Sequence, residues 1–196
     1  MDSNNYSEYI SLLQSKLSPY RLHHSLEVAK SAKYLAEKYG GDSEKAYVAG
    51  LLHDVLKEAD REETFMYAEK YGIVMTELEK NAGKLWHAMT GAAFIKNELG
   101  ITDESIITAV RFHTTGRADM SQDEKILFIA DFISSDRNYN GVEEMRQKAE
   151  ISLECAMLEG LSFTIADLVE NGKAVHPDTL DAYNDIIMRY KEKGKI

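Results

Sequence analysis

Ala46-Tyr-Val-Ala-Gly-Leu-Leu-His53-Asp54-Val-Leu-Lys57 is the stretch that decides how this chain is read. Ala46, Val48, Ala49, Leu51 and Leu52 make an apolar helical segment that runs straight into a histidine and an aspartate. Adjacent residues on a regular helix point about 100° apart and do not face each other. The pair can still serve one metal centre if the ions lie beside the helix end, between the two side chains. Asp54 carries two oxygens and is able to bridge two ions. Lys57 stands at i+4 from His53 and i+3 from Asp54, so it shares their face wherever the helix continues.

Outward from that segment nearly everything reads as helix. Only Pro19 and Pro177 interrupt the chain, and no segment alternates apolar and polar residues long enough for a strand. A first helix is expected over about 7–17. A second starts at Pro19 and reaches Tyr39, with Leu26, Ala29, Leu35 and Ala36 facing inward. Gly40-Gly41 ends it and Asp42 caps the helix bearing Ala46 to Leu52. Asp60 with Glu63 resembles a capping box for a helix to about Tyr71, and Ser121 with Glu124 a second one for the helix that presents Asp131. Between them a helix over about 84–98 holds His87, and another, capped by Thr102, reaches His113. Two longer stretches, about 142–170 and 178–191, close the chain. The expectation is one all-α domain, a compact bundle of eight to ten helices, with a motif-bearing core over about 19–140.

Bulk properties set the limits. At 196 residues, 44% hydrophobic and 29% charged, the chain suits one globular domain with a full core. A single cysteine, Cys155, rules out an internal disulfide framework and reads as a small buried apolar residue. No apolar run approaches the ~20 residues of a membrane span. The start, MDSNNYSEYI, lacks a basic segment followed by an apolar one, so a cytoplasmic protein is expected. The net charge of −10 argues against a general nucleic-acid binder. It leaves room for a small anionic substrate, because local cations and metal ions dominate the field inside a pocket.

Six histidines occur: His23, His24, His53, His87, His113 and His176. His53, His87 and His113 lie near the ends of separate apolar segments, beside Leu51-Leu52, Leu85-Trp86 and Val110-Phe112. Imidazoles brought inward by different helices are how bundles build metal sites. Asp131 follows the apolar run from Ile126 to Ala130, and a buried carboxylate there is costly unless a cation meets it. His23 reads as structural or exposed, and Trp86 as core.

These segments together resemble the HD superfamily of metal-dependent phosphohydrolases, through His24, then His53-Asp54, then Asp131. More narrowly the chain is similar to the YqeK-type subgroup, which hydrolyses diadenosine tetraphosphate symmetrically to two ADP. That likeness rests on Arg21-Leu-His-His24, Gly50 to Lys57, Leu85-Trp-His87, His113-Thr-Thr-Gly-Arg117, Ile129-Ala-Asp131 and the segment from His176 to Asn184, so it spans nearly the whole chain. The resemblance implies that His24, His53, Asp54 and Asp131 are core metal ligands. His87 and His113 either bind a second ion bridged through Asp54 or donate to phosphate oxygens around a single one. Iron is the implied metal, with manganese and zinc open to the same ligand types. Asp54 or Asp131 is to orient the nucleophile, and Lys57 to neutralise phosphate or the leaving oxygen unless it is simply solvated. Arg21, Thr114, Thr115, Gly116, Arg117, Arg137 and His176 are the further candidates for substrate contact. The competing readings are a plain helix-terminal turn for Thr114 to Arg117 and a pin for the last helix at His176. A homodimer is implied as the assembly. One departure stands out: the subgroup follows its last aspartate with a Glu-Pro turn and later an aromatic-Pro-Gly-Val. Here the run is Ser134-Ser-Asp-Arg137-Asn-Tyr-Asn-Gly-Val142, without prolines, so a looser loop is expected.

Two rival functions remain at this level. One is another HD nucleotidase or nucleotide phosphodiesterase. The other is a nucleotide-binding regulatory module with a structural metal. The His113 to Arg117 segment favours the tetraphosphate hydrolase, and the intact ligand set disfavours a degenerate site.

Overall fold

The computed structural model describes residues 4–192. Among the described residues there are eleven α-helices and no strand: α1 (Asn4–Lys16), α2 (Pro19–Tyr39), α3 (Ser43–Leu52), α4 (Arg61–Lys70), α5 (Glu77–Asn81), α6 (Gly83–Asn97), α7 (Glu104–Phe112), α8 (Gln122–Ile133), α9 (Val142–Ile151), α10 (Leu153–Glu170) and α11 (Pro177–Glu192). The all-α expectation holds, and no described helix is long and apolar enough to cross a membrane.

Local chemistry explains most boundaries. Ser18 caps α2 ahead of Pro19, and Gly40 closes it in the left-handed conformation at φ 77°. Asp42 caps α3 by accepting from the N–H groups of Glu44 and Lys45. Ser121 and Glu124 form the reciprocal box at the start of α8. Three details differ from the sequence reading. The cap of α7 is Asp103, which accepts from Ser105 N–H at 3.0 Å, not Thr102. The short helix α5 was not anticipated, although Thr76 and Glu79 supply a full capping box for it. The stretch 142–170 is two helices, because Ser152 turns extended and its hydroxyl caps a new start at Cys155 N–H.

The core runs through the middle of the bundle, where α2 packs along α3 and α8 lies against α2, α3 and α7. Leu35, Leu51, Leu52, Ile106, Ile126, Leu127 and Ile129 are fully buried there. Helix α6 closes one side against α7 and α4, while α10 covers α8 and carries α9 and α11. The α2–α3 contact is the tightest: Gly50 lies so close that a Cβ on it would stand 2.6 Å from Ala29 Cα. That approach sets His24, on α2, beside the end of α3 where His53 and Asp54 follow. Cys155 packs on this core but is half-buried rather than buried as expected, and His23 is exposed, in line with its sequence reading.

Candidate metal centre

Helix α3 stops at Leu52, and residues 53–58 continue as tight turns. Their backbone bonds run Val55 N–H to Leu52 O and Lys57 N–H to Asp54 O, at 3.1 and 2.9 Å. The regular helix therefore does not continue to Lys57, yet the turn still returns it to the same side: Lys57 Nζ is 3.5 Å from Asp54 Oδ1. The helix end also resolves the problem of adjacent ligands, since His53 and Asp54 both face inward and are buried.

Asp54 sits at the middle, and its two oxygens face different neighbours. Oδ2 lies 3.4 Å from His53 Nε2, 4.0 Å from His24 Nε2 and 3.0 Å from Arg21 Nη1. Oδ1 lies 3.1 Å from His87 Nε2 and 3.7 Å from His113 Nε2, on the same side as Lys57. Asp131 completes the first half, with Oδ1 3.0 Å from His24 Nε2. Thus the structure brings together all six sequence-expected ligands, from α2, the end of α3, α6, the end of α7, and α8.

The donor chemistry fits a cation. Nδ1 of His53 meets Gly50 O at 2.7 Å, and Nδ1 of His113 meets Val110 O at the same distance. Each ring thereby carries its proton on Nδ1 and directs an Nε2 lone pair inward. His53 Nε2 and Asp54 Oδ1 are buried without a hydrogen-bond partner, which is costly unless an ion meets them. Two overlapping sets have ligand atoms within 4.8 Å of one another, His24–His53–Asp131 and His53–Asp54–His113.

Electrostatics point the same way. Burial works to raise the carboxyl pKa of Asp54, but the imidazoles around it, His53 first and then His113 and His87, hold it well below the ordinary value. Asp131 is likewise held well down, against its burial, by the neighbouring His24 imidazole and the Arg137 charge. Burial pushes His87 down to about 4 and also lowers His113, leaving both neutral at pH 7. Burial would lower His53 too, but the neighbouring Asp54 charge outweighs it and the net shift is upward.

The site is open on one side. His24, His53, Asp54, His87 and His113 are each at most 4% exposed. By contrast Arg21, Lys57, Asp131 and Arg137 keep 22, 29, 20 and 32% of their side chains exposed. Three cationic groups, Arg21, Lys57 and Arg137, therefore stand at the exposed edge of a buried His/Asp centre, each paired with Asp54 or Asp131.

The other candidates are placed as follows. Arg137 donates to the Asp131 carboxylate and, through Nε, to its backbone carbonyl at 2.7 Å. Thr114 and Thr115 follow His113, and both hydroxyls are buried without a partner. Gly116 is at φ 64°, and a Cβ on it would stand 3.2 Å from Ala182 Cβ and 3.4 Å from Met120 Sδ. Arg117 turns to the buried Glu124 with two bonds, at 2.7 and 2.9 Å. His176 lies 3.4 Å from Glu79 and accepts from Asp178 N–H at the start of α11. The loop after Asp131 is not loose: Arg146 of α9 donates to the carbonyls of Ile133, Ser134 and Arg137 and does the work of the missing prolines. The sequence reading missed Asp136, whose Oδ2 lies 2.8 Å from His24 Nδ1. No spacing rule marks it, since it comes from a turn far along the chain from its partner.

An all-α bundle with this centre is an HD domain, and the HD domain family matches residues 21–136, so the chain belongs to that family. It is 36% identical over 188 residues to the protein named symmetrical bis(5'-nucleosyl)-tetraphosphatase from Halalkalibacterium halodurans, covering 95% of this chain and all of that one. A protein of the same name from Bacillus subtilis is 34% identical over 183 residues, covering 93% of this chain and 98% of its own. A solved structure from Clostridium acetobutylicum, titled a "predicted HD superfamily hydrolase involved in NAD metabolism", superposes with a TM-score of 0.91 at 36% identity, over 94% of this chain and 97% of that one.

Proposed function

We propose that this protein is a metal-dependent hydrolase that cleaves diadenosine tetraphosphate symmetrically into two ADP. The observation that carries the reading is the cationic rim of Arg21, Lys57 and Arg137 on the open side of the buried His/Asp centre. A polyphosphate chain is the ligand such a rim suits, and near-full-length relatives named for this reaction support the choice.

His24, His53, Asp54 and Asp131 would hold one divalent ion. His87 and His113, on the Oδ1 side of Asp54, would hold a second. Iron follows from the family resemblance, and manganese or zinc suit the same donors. When bound, the metal supplies Lewis acidity, activating water and polarising the attacked phosphoryl group.

The protein's own groups do the rest. Asp54 and Asp131, both held ionised, orient the nucleophile for in-line attack on an internal phosphorus. Lys57 Nζ, on the rim, neutralises charge on the departing ADP. Arg21, whose Nε is buried without a partner, and Arg137 have N–H donors left for outer phosphate oxygens. The unpartnered Thr114 and Thr115 hydroxyls are assigned to phosphate, with Gly116 allowing the turn that carries them. Arg117 and His176 act through the backbone they hold, at the starts of α8 and α11. A second assignment for His87 is as a donor to phosphate beside a single ion: the ring is neutral, and its Nε2 lies 3.1 Å from Lys57 Nζ, next to the exposed lysine. A homodimer in the cytoplasm, without nucleic acid as partner, completes the proposal; it draws on the resemblance and on the net charge of −10.

The test is product analysis. Purified protein of measured metal content is incubated with diadenosine tetraphosphate and iron, manganese or zinc, and the products are chromatographed. Two ADP per substrate is the expected result. ATP plus AMP would refute symmetric cleavage, and no turnover with any of the three metals would leave a nucleotide-binding module.

A further inference from the structure

Among the candidate ligands, the three imidazoles whose Nδ1 has a hydrogen-bond partner, His24, His53 and His113, are not held alike. His53 and His113 follow the last turn of a helix, and each Nδ1–H reaches a carbonyl three residues back, at 2.7 Å. Carbonyls in the last turn lack helical partners, so this acceptor comes free with a helix end. His24 lies inside α2, where the carbonyls behind it are already used by the helix ladder. Its Nδ1–H needs an acceptor from elsewhere. The carboxylate of Asp136 provides it, at 2.8 Å, across the gap between α2 and the loop after α8. That carboxylate is only 6% exposed, and its Oδ1 is buried with no hydrogen-bond partner. A carboxylate sealed away at such cost has a task beyond solubility.

Its neighbour completes the arrangement. Arg137 grips the Asp131 carboxylate and backbone carbonyl, and its Nη2 stands 3.3 Å from His24 Nε2. Adjacent residues of one loop therefore hold two candidate ligands on two helices. Arg146 of α9 fixes that loop from behind by donating to the carbonyls of Ile133, Ser134 and Arg137.

We propose that Asp136 is a positioning residue, which fixes the tautomer and orientation of His24 so that its Nε2 lone pair meets the metal. This rests on the reading of His24 as a ligand. Asp136 touches neither substrate nor ion and acts through the imidazole. Loss of such a partner weakens metal binding by roughly 10–100-fold.

The experiment compares wild type with Asp136→Ala and Asp136→Asn, using titration with Mn²⁺ alone and nitrogen-detected NMR of the histidine rings in metal-free protein. Wild type should show His24 with its proton on Nδ1. Asp136→Ala should show mixed tautomers and bind Mn²⁺ roughly 10–100-fold more weakly. Asp136→Asn, whose side-chain oxygen still accepts, should recover most of that affinity. Mn²⁺ affinity in Asp136→Ala equal to wild type would overturn the proposal. If that variant does not fold, wild-type His24 protonated on Nε2 overturns it equally. Wild type that binds no Mn²⁺, Fe²⁺ or Zn²⁺ would instead sink the metal-site reading on which the proposal stands.

Discussion

At Asp54 one carboxylate divides the centre in two, with Arg21, His24 and His53 toward Oδ2 and Lys57, His87 and His113 toward Oδ1. This division makes separate demands on separate residues. Among the described residues Lys57 makes its polar contacts with Asp54 and His87 and is 29% exposed, and Asp54 keeps Arg21 and the imidazoles as neighbours when the lysine charge is removed. Lys57→Met, which keeps the apolar stem, should lower kcat by about 100-fold while metal content stays at the wild-type level. Steady-state kinetics with metal analysis on the same sample checks this. An unchanged kcat would return Lys57 to a solvated surface role. The residue types here were readable from spacing and apolar context, as with His53, His87 and His113. Asp136 was not, because a hydrogen bond between residues 24 and 136 leaves no local pattern in either segment.

Among the elements, the α2–α3 contact is the one on which the centre depends most. Gly50 allows it: any Cβ there would meet the Ala29 backbone, with Cα at 2.6 Å and N at 2.9 Å, and a backbone cannot swing aside as a side chain can. Gly50→Ala should therefore cost roughly 1–3 kcal/mol by overpacking. Because α2 carries His24 and α3 leads into His53, separating these helices should also weaken metal binding. Thermal unfolding and metal titration of this one variant test both effects, and a full-affinity site in a destabilised protein would uncouple them. Element boundaries were mostly legible, since Pro19, Asp42, Ser121 and Gly40 sit where helix starts, capping and left-handed closure require them. The split at Ser152 was hidden because apolar spacing runs through it on both sides, and only the Ser152 hydroxyl on Cys155 N–H reveals a new start.

For the whole molecule, the six candidate ligands come from helices spread between residues 19 and 133, so an ion there would tie together α2, α3, α6, α7 and α8. Binding to the folded state alone stabilises by about 2.7 kcal/mol when free metal is 100 times Kd. Stripping the metal with a chelator should thus lower Tm by several degrees, and re-addition should restore it in proportion to the logarithm of metal concentration. A Tm indifferent to metal would mean that the ligands do not converge in solution. The sequence by itself determined the helical class, most caps, the six inward-facing donors and their kinship with HD phosphohydrolases. Those features are written in local spacing and residue type, which act over one or two turns. Tertiary structure alone decided which oxygen of Asp54 faces which imidazole, that Arg21, Lys57 and Arg137 stand at the mouth, and that Asp136 holds His24. Each of these depends on the separation of helices distant in sequence, and packing of whole side-chain layers sets that distance.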